Sequence, residues 1–403
     1  MKKIAVMLNT LDPFFFSERD LRDCVFPAQE GTQLIQMGIK KFGDKVIQYR
    51  GAEPYPELEE ALEHTDLGER MSQVGVTHIV MPHRASEKVH TWAQAHAIAV
   101  IAPPFALQRD LEHKIWFDDA LRKRGIATPR TVAKENAAVE KGPLVAQEST
   151  SYGLYGTRFF KDGKSLVNDD MFSTDDILIR AYEEGMPVGI SMLIDKSGNY
   201  CYSALRRQCF IYDNGFPSQF TGVQWIPFSF LNPKTVAAVE KTMDQLRLFL
   251  SDIGFKGLAN FDLLLTPGVC KVLECNPRLS SATAHLFASH GLMPIDNAWE
   301  FFVNACTDSS NQTIHDGSLP RSEYAGALLD VDIQGTAQLK ALPKVGPYKG
   351  MFIFHELFPG TASITEDTLC TILSDTIIFD LESGSFNKAG ESTYNYFHET
   401  YTE

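Results

Sequence analysis

Two neighbouring segments of this chain carry residues that could hold a metal ion beside phosphate. Asn260-Phe261-Asp262-Leu263-Leu264-Leu265 reads as a strand, Thr266-Pro267-Gly268 as a turn, and Leu273-Glu274-Cys275-Asn276-Pro277-Arg278 as the end of a second strand. Period-two alternation puts Glu274, Asn276 and Arg278 on one face. A hairpin brings Asp262, a dozen residues before Glu274, to the same place. Two carboxylates and an amide oxygen form a hard, all-oxygen set that suits Mg²⁺, with phosphate oxygens and waters completing an octahedron. Arg278 adds a planar fork for a phosphate or a carboxylate. The alternative at this level is a buried polar network that ties two strands to a loop, because ion-pair networks also occur without function.

Arg206-Arg207-Gln208 could clamp a phosphate or a substrate carboxylate, or could be the exposed basic end of a strand. Ser280, Ser281 and Thr283 follow Arg278 and either contact a bound acid or form an ordinary polar turn. The histidines lack HxH and HExxH spacing, and His285 and His290 read as structural or substrate-lining. There is no G-x-S-x-G elbow, which disfavours a serine hydrolase, and Walker A and protein-kinase motifs are absent.

These residues must be positioned by a chain of 403 residues, long enough for two or three domains. Apolar residues at 44% and charged residues at 22% exclude a disordered, collagen-like or coiled-coil chain. With 51 acidic against 37 basic residues, the net charge of −14 argues against coating a nucleic acid. No stretch approaches the roughly 20 apolar residues needed to cross a bilayer, and the Ile4–Leu8 run is too short for a signal peptide. Seven scattered cysteines without a CxxC pair suggest reduced, buried thiols in the cytoplasm.

Ile4–Leu8, Lys45–Tyr49, His78–Met81 and Ile98–Ala102 read as buried strands, with helical spacing over Gly31–Phe42, Pro56–Met71 and Glu87–His96. That alternation predicts an N-terminal parallel-sheet α/β domain. No G-x-G-x-x-G follows its first strand, so a dinucleotide fingerprint is missing. A helix over Asp110–Gly125 should lead into a strand over Ile126–Val132. Further strands fall at Leu144–Gln147, Arg158–Phe160 and Asp176–Tyr182, around a polar glycine-bearing loop at Glu148–Thr157. A hairpin joins Gly189–Ile194 to Tyr200–Leu205, and Asn232–Ile253 is an amphipathic helix with Asn232-Pro233 at its start. A helix near Pro294–Cys306, a polar linker over Thr307–Ser322, and strands near Tyr324–Val331 and Met351–Glu356 complete the chain.

The hairpin resembles the metal-binding hairpin of the ATP-grasp superfamily: an acidic residue, about a dozen residues, then Glu-x-Asn-Pro-Arg. Other stretches match in the same order over roughly residues 107–306. Arg109–Lys114 with Gly125–Pro129 resembles the opening helix. Leu144–Gln147 with Ser151-Tyr152-Gly153-Leu154-Tyr155-Gly156-Thr157 resembles the strand and glycine lid, and Ile177–Gly185 resembles the hinge strand. The resemblance implies an α/β and α+β fold: an N-terminal α/β domain over 1–106, a two-lobed ATP-binding region over 107–306 with its lid subdomain at about 130–182, and a C-terminal β-rich cap over 307–403.

It also implies roles. Asp262, Glu274 and Asn276 would hold Mg²⁺, for which Mn²⁺ could substitute, and Arg278 would stabilise the transferring phosphoryl group. Lys114 would contact ATP phosphates, with Gly153, Gly156 and Thr157 covering them. Leu264 and Leu273 would pack on adenine, and the backbone of Arg180 and Tyr182 would read its edge. Three positions depart from the family pattern: Gln147 replaces the phosphate-contacting strand lysine, Ala181 the hinge acid and Pro187 the ribose acid, for which Glu183 or Glu184 could stand in. The implied reaction joins a small-molecule carboxylate, an amino-acid-like one by preference, to an amine through an acyl phosphate, releasing ADP and phosphate. No nucleic-acid or membrane partner is expected, and a homodimer is allowed. The other readings are a bicarbonate-activating ATPase like biotin carboxylase, although no Met-Lys-Met attachment motif occurs here, and a non-enzymatic nucleotide-binding protein.

Overall fold

The computed structural model describes residues 2–7, 21–30, 33–51, 58–81, 85–151, 154, 156–280, 282–287, 291–295, 297–307, 317–332, 336–340, 346–348, 351–354, 363–365 and 368–402. The N-terminal region is a five-stranded parallel sheet in the order Val46–Tyr49, Cys24–Gln29, Ile4–Ala5, His78–Val80, Ala99–Ile101. Helices Gln33–Phe42, Leu58–His64, Leu67–Gln73 and Glu87–Ala95 connect its strands. The expected α/β alternation is therefore present, with two differences. The strand Cys24–Gln29 was not expected, and Pro27 within it explains why, since proline removes a ladder donor. The helical pattern after Pro56 is broken at Asp66, whose carboxylate turns back to accept from the Arg50 backbone and from Arg70 Nε.

The expected helix over 110–125 is two helices, Phe105–Glu112 and Lys114–Lys123, that meet at His113. The His113 ring caps the second helix by accepting from Trp116 N, and Lys114 N donates to Ser149 O at 2.8 Å. Capping and the loss of i→i−4 bonding at this point start a new axis. Residues 126–132 do not form a strand as expected. Only an isolated bridge, Thr131 to Arg180, pairs there, because Pro129 lacks a donor.

Two antiparallel sheets frame the centre. The smaller one has the order Thr157–Phe160, Leu144–Glu148, Ile177–Ala181. The larger, ten-stranded sheet contains Val269–Asn276, Gly257–Thr266, Met186–Ile194, Arg206–Asp213 and Phe216–Trp225 side by side. It continues through Ala327–Asp332, Thr368–Ser374, Met351–Phe354 and Gly346–Tyr348, so the β-rich C-terminal region extends the sheet that carries the Asp262–Glu274 hairpin. Helix Pro233–Asp252 starts as expected, with the Asn232 side chain accepting from Thr235 N at 2.9 Å. It packs Val239, Met243, Leu246 and Leu250 against Phe261, Leu263 and Val272 from below the hairpin. Each fully buried side chain of this kind contributes roughly 1.5–3 kcal/mol, which fixes the strands that hold the site. All seven cysteines are buried thiols outside any disulfide. Among the described residues no helix is long and apolar enough to cross a membrane.

Candidate functional site

The two strands of the hairpin pair so that Asp262 stands opposite Glu274 and Asn260 opposite Asn276. Past Asp262 the register shifts: Leu263 pairs with Val272, leaving Leu273 as a bulge. A bulge re-aims a side chain, and here it puts the adjacent residues Leu273 and Glu274 both on the lining of one cavity of about 340 Å³. The Leu273 carbonyl accepts from Arg180 Nη1 at 3.0 Å.

Burial pushes the Asp262 carboxyl well above its ordinary range, and the like charge of Glu274 adds to it. Burial also opposes the charge of Glu274, but Lys114 and hydrogen bonds from Asp262 and Asn276 outweigh it and hold that carboxyl low. Lys114, 3% exposed, places Nζ 3.5 Å from Glu274 Oε2 and also donates to Ser151 O. Asn276 Nδ2 donates to Glu274 Oε1 at 3.1 Å, and its Oδ1 accepts from Arg278 Nη2 at 3.2 Å. Arg278 Nε donates to Glu112 Oε1 at 3.0 Å, which ties it to the end of the first helix at the break. Two half-buried carboxylates that repel one another, with an amide oxygen beside them, form a donor set that a hard divalent cation would satisfy. Among the described residues no group of three His, Cys, Asp or Glu side chains forms a metal cage, so substrate oxygens would complete the shell.

The expected nucleotide contacts fall around the same cavity. Gln147, Thr157, Arg180 and Tyr182 line it, as do Glu183 and Leu264. Gln147 links its neighbours, donating to Thr157 Oγ1 and accepting from Arg180 Nη1. Arg180 was expected to contribute its backbone. Its side chain does more: 3% exposed, it donates through Nη2 to Asp118 Oδ1 at 2.7 Å. Burial would raise the Asp118 carboxyl, but Arg180, Thr131 and Arg122 outweigh it and hold it low. Glu183 is engaged by Lys271 and by the Arg130 backbone N–H. Gly156 adopts φ +66°, and a β-carbon there would meet Glu148 Oε2 at 2.6 Å, so this turn of the loop requires glycine. Gly153, Ser281 and His290, together with the His285 side chain, lie outside the described residues.

Sequence reasoning left Arg206 open, and the structure excludes the exposed strand end. Arg206 and Arg207 are 4% and 3% exposed. Arg206 lines the cavity, and its guanidinium reaches across Gly189 to Ser191 Oγ at 3.0 Å and Asn260 Oδ1 at 3.3 Å. The signal that could have found it is Gly189, a glycine inside a strand pattern, which marks close approach of another group.

Residues 111–282 match the family model described as ATP-grasp domain. No curated protein matches the chain in sequence. Among solved structures, the biotin carboxylase domain of 2-oxoglutarate carboxylase from Hydrogenobacter thermophilus, a dimer with MgADP, ADP and bicarbonate, aligns at TM-score 0.67 and 14% identity. It covers 93% of this chain and 86% of that one. Biotin carboxylase from Campylobacter jejuni, in a beta-gamma-ATP complex, aligns at 0.66 and 12%, covering 97% and 90%. The biotin carboxylase subunit of a pyruvate carboxylase aligns at 0.60 and 14%, covering 100% and 91%. At these identities the likeness is one of fold, and it includes residues 111–282, the stretch that matches the ATP-grasp domain model.

Proposed function

We propose that this protein is an ATP-dependent ligase that activates a small-molecule carboxylate as an acyl phosphate, passes the acyl group to an amine, and releases ADP and phosphate. The observation that carries the reading is the cross-strand pair Asp262–Glu274 with Lys114 on one side and Arg278 two residues past Asn276. Mg²⁺ held there would neutralise charge on the transferring phosphoryl group. Arg278, fixed by Glu112 and Asn276, is oriented for the oxygens that gain charge, and such preorganised donors contribute most where charge develops. Lys114 places a buried cation beside the same carboxylate pair. Leu264 and Leu273 offer an apolar face to a base. The loop that closes at Gly156 would shield an acyl phosphate from water.

In this reading residues 1–106 are a substrate-side α/β domain, 107–306 the nucleotide-binding region and 307–403 a cap. A biotin-carboxylase-like use of bicarbonate as the acid is the second reading, favoured by the solved structures that this fold resembles. Incubation with ATP, Mg²⁺, candidate acids and hydroxylamine tests the first. Hydroxamate formed with release of ADP supports it. ATP turnover that requires bicarbonate and yields no hydroxamate from any organic acid favours the second.

A further inference from the structure

Arg206 is a buried cation whose hydrogen-bond partners are neutral. Its guanidinium bonds to Ser191 Oγ and Asn260 Oδ1, and it forms no ion pair within 4.0 Å among the described residues. The Asp262 carboxyl, across Gly189, acts on it at longer range; committed to a cation, as proposed above, it leaves the guanidinium to meet an arriving anion. The fold makes room for it deliberately. Gly189 lies opposite Arg206 in the strand pair, and a β-carbon there would sit 2.7 Å from Arg206 Nε. Gly189 in turn lies opposite Asp262, so one cross-strand row runs Glu274, Asp262, Gly189, Arg206. The arginine thus lines the same cavity as the carboxylate pair.

Beyond Gln208, which follows this cation on the same face of its strand, the cavity wall turns apolar. Phe210, Phe220 and Val223 line the cavity, as does Ala282 on the turn after Arg278. Phe210 and Phe220 meet edge to face at 5.7 Å, and Phe220 packs against the cluster that contains Leu279 and Ala282. Such a wall offers nothing to a hydrated polar side group and gains by burying an apolar one.

We infer that the acid substrate carries an apolar, preferably aromatic, side group, with its carboxylate facing Arg206 and its body packed on Phe210, Phe220 and Val223. This rests on the ligase reading above and narrows it: bicarbonate and acidic or hydroxylated acids would leave the wall uncovered.

Equilibrium binding of 3-phenylpropionate, propionate, glutamate and bicarbonate, by calorimetry without ATP, tests the subsite independently of turnover. The expected result is at least tenfold tighter binding of 3-phenylpropionate than of propionate, a preference that Phe220→Ala abolishes and Arg206→Lys weakens for both acids. Equal affinities, or preference for glutamate or bicarbonate, would overturn the subsite. The same acids are then assayed for hydroxamate with ATP and hydroxylamine. Tight 3-phenylpropionate binding with no hydroxamate would sink the ligase reading while leaving the subsite standing. Hydroxamate formed best from propionate or glutamate would leave the ligase and remove the subsite.

Discussion

Gly189 and Arg206 face one another across a strand pair, and the arginine occupies the space that any side chain on the glycine would take. A β-carbon on Gly189 would approach Arg206 Nε to 2.7 Å. Gly189→Ala should therefore displace the guanidinium without unfolding the strand, because alanine is tolerated in extended backbone. Losing one charge-assisted hydrogen bond corresponds to about tenfold or more, so KM for the acid should rise by about that factor with a smaller change in KM for ATP. Steady-state kinetics in the two substrates checks it. Equal effects on both would detach the glycine from the acid.

Glu274→Gln keeps the shape of the side chain and removes an anionic ligand. Turnover should fall by about a hundredfold or more at saturating Mg²⁺. Asp262→Asn should cost activity as well, yet it also removes a like charge from the buried pair, so the thermal midpoint of the metal-free protein should not fall. Calorimetry beside the activity assay separates the two effects. Near wild-type turnover in Glu274→Gln would remove the metal assignment.

The Asp118–Arg180 pair is a structural clamp behind the cavity wall. Asp118 is fully buried and accepts from Arg180, Thr131 and Arg122. Asp118→Ala would leave a buried arginine uncompensated, at about 3–5 kcal/mol of stability. Denaturant unfolding of the variant measures this. A loss under 1 kcal/mol would mean that water reaches Arg180.

Asp330 gives a pH signature far from the site. Burial, reinforced by Asp332, pushes its carboxyl up to about 7, while Thr371 Oγ1 donates to it at 2.7 Å. The folded chain then keeps a proton there that the unfolded chain releases near pH ~4. Stability from this group is complete below pH ~4 and is lost as pH rises through about 7. Asp330→Asn should flatten that decline and stabilise the protein above pH 7 by on the order of 1 kcal/mol. Unfolding midpoints across pH 5–8 should cross over between the two proteins, and parallel curves would contradict the assignment.

The hairpin was legible because strand alternation and a short turn leave few ways to place Asp262, Glu274 and Asn276. The bulge at Leu273 was not, since an unpaired residue has no marker in a run of apolar side chains. Nor was the break at His113, which depends on a hydrogen bond from Lys114 N to Ser149, thirty-five residues away. Arg206 was ambiguous because charged residues at strand ends are mostly exposed. Its burial depends on a glycine two strands from the hairpin's outer edge and on partners contributed by two other strands.

The central claim is transfer of the γ-phosphoryl group to the oxygen of a carboxylate, and an ¹⁸O-labelled acid tests it most directly. If Asp262 and Glu274 hold Mg²⁺ at the terminal phosphates and Arg278 faces the moving phosphoryl group, the acid's own oxygen must leave in inorganic phosphate, with ADP as the nucleotide product. Mass spectrometry should then find ¹⁸O in phosphate, and Arg278→Ala should slow its appearance while ATP still binds. Label recovered in AMP, or phosphate whose new oxygen comes only from water, would contradict the account.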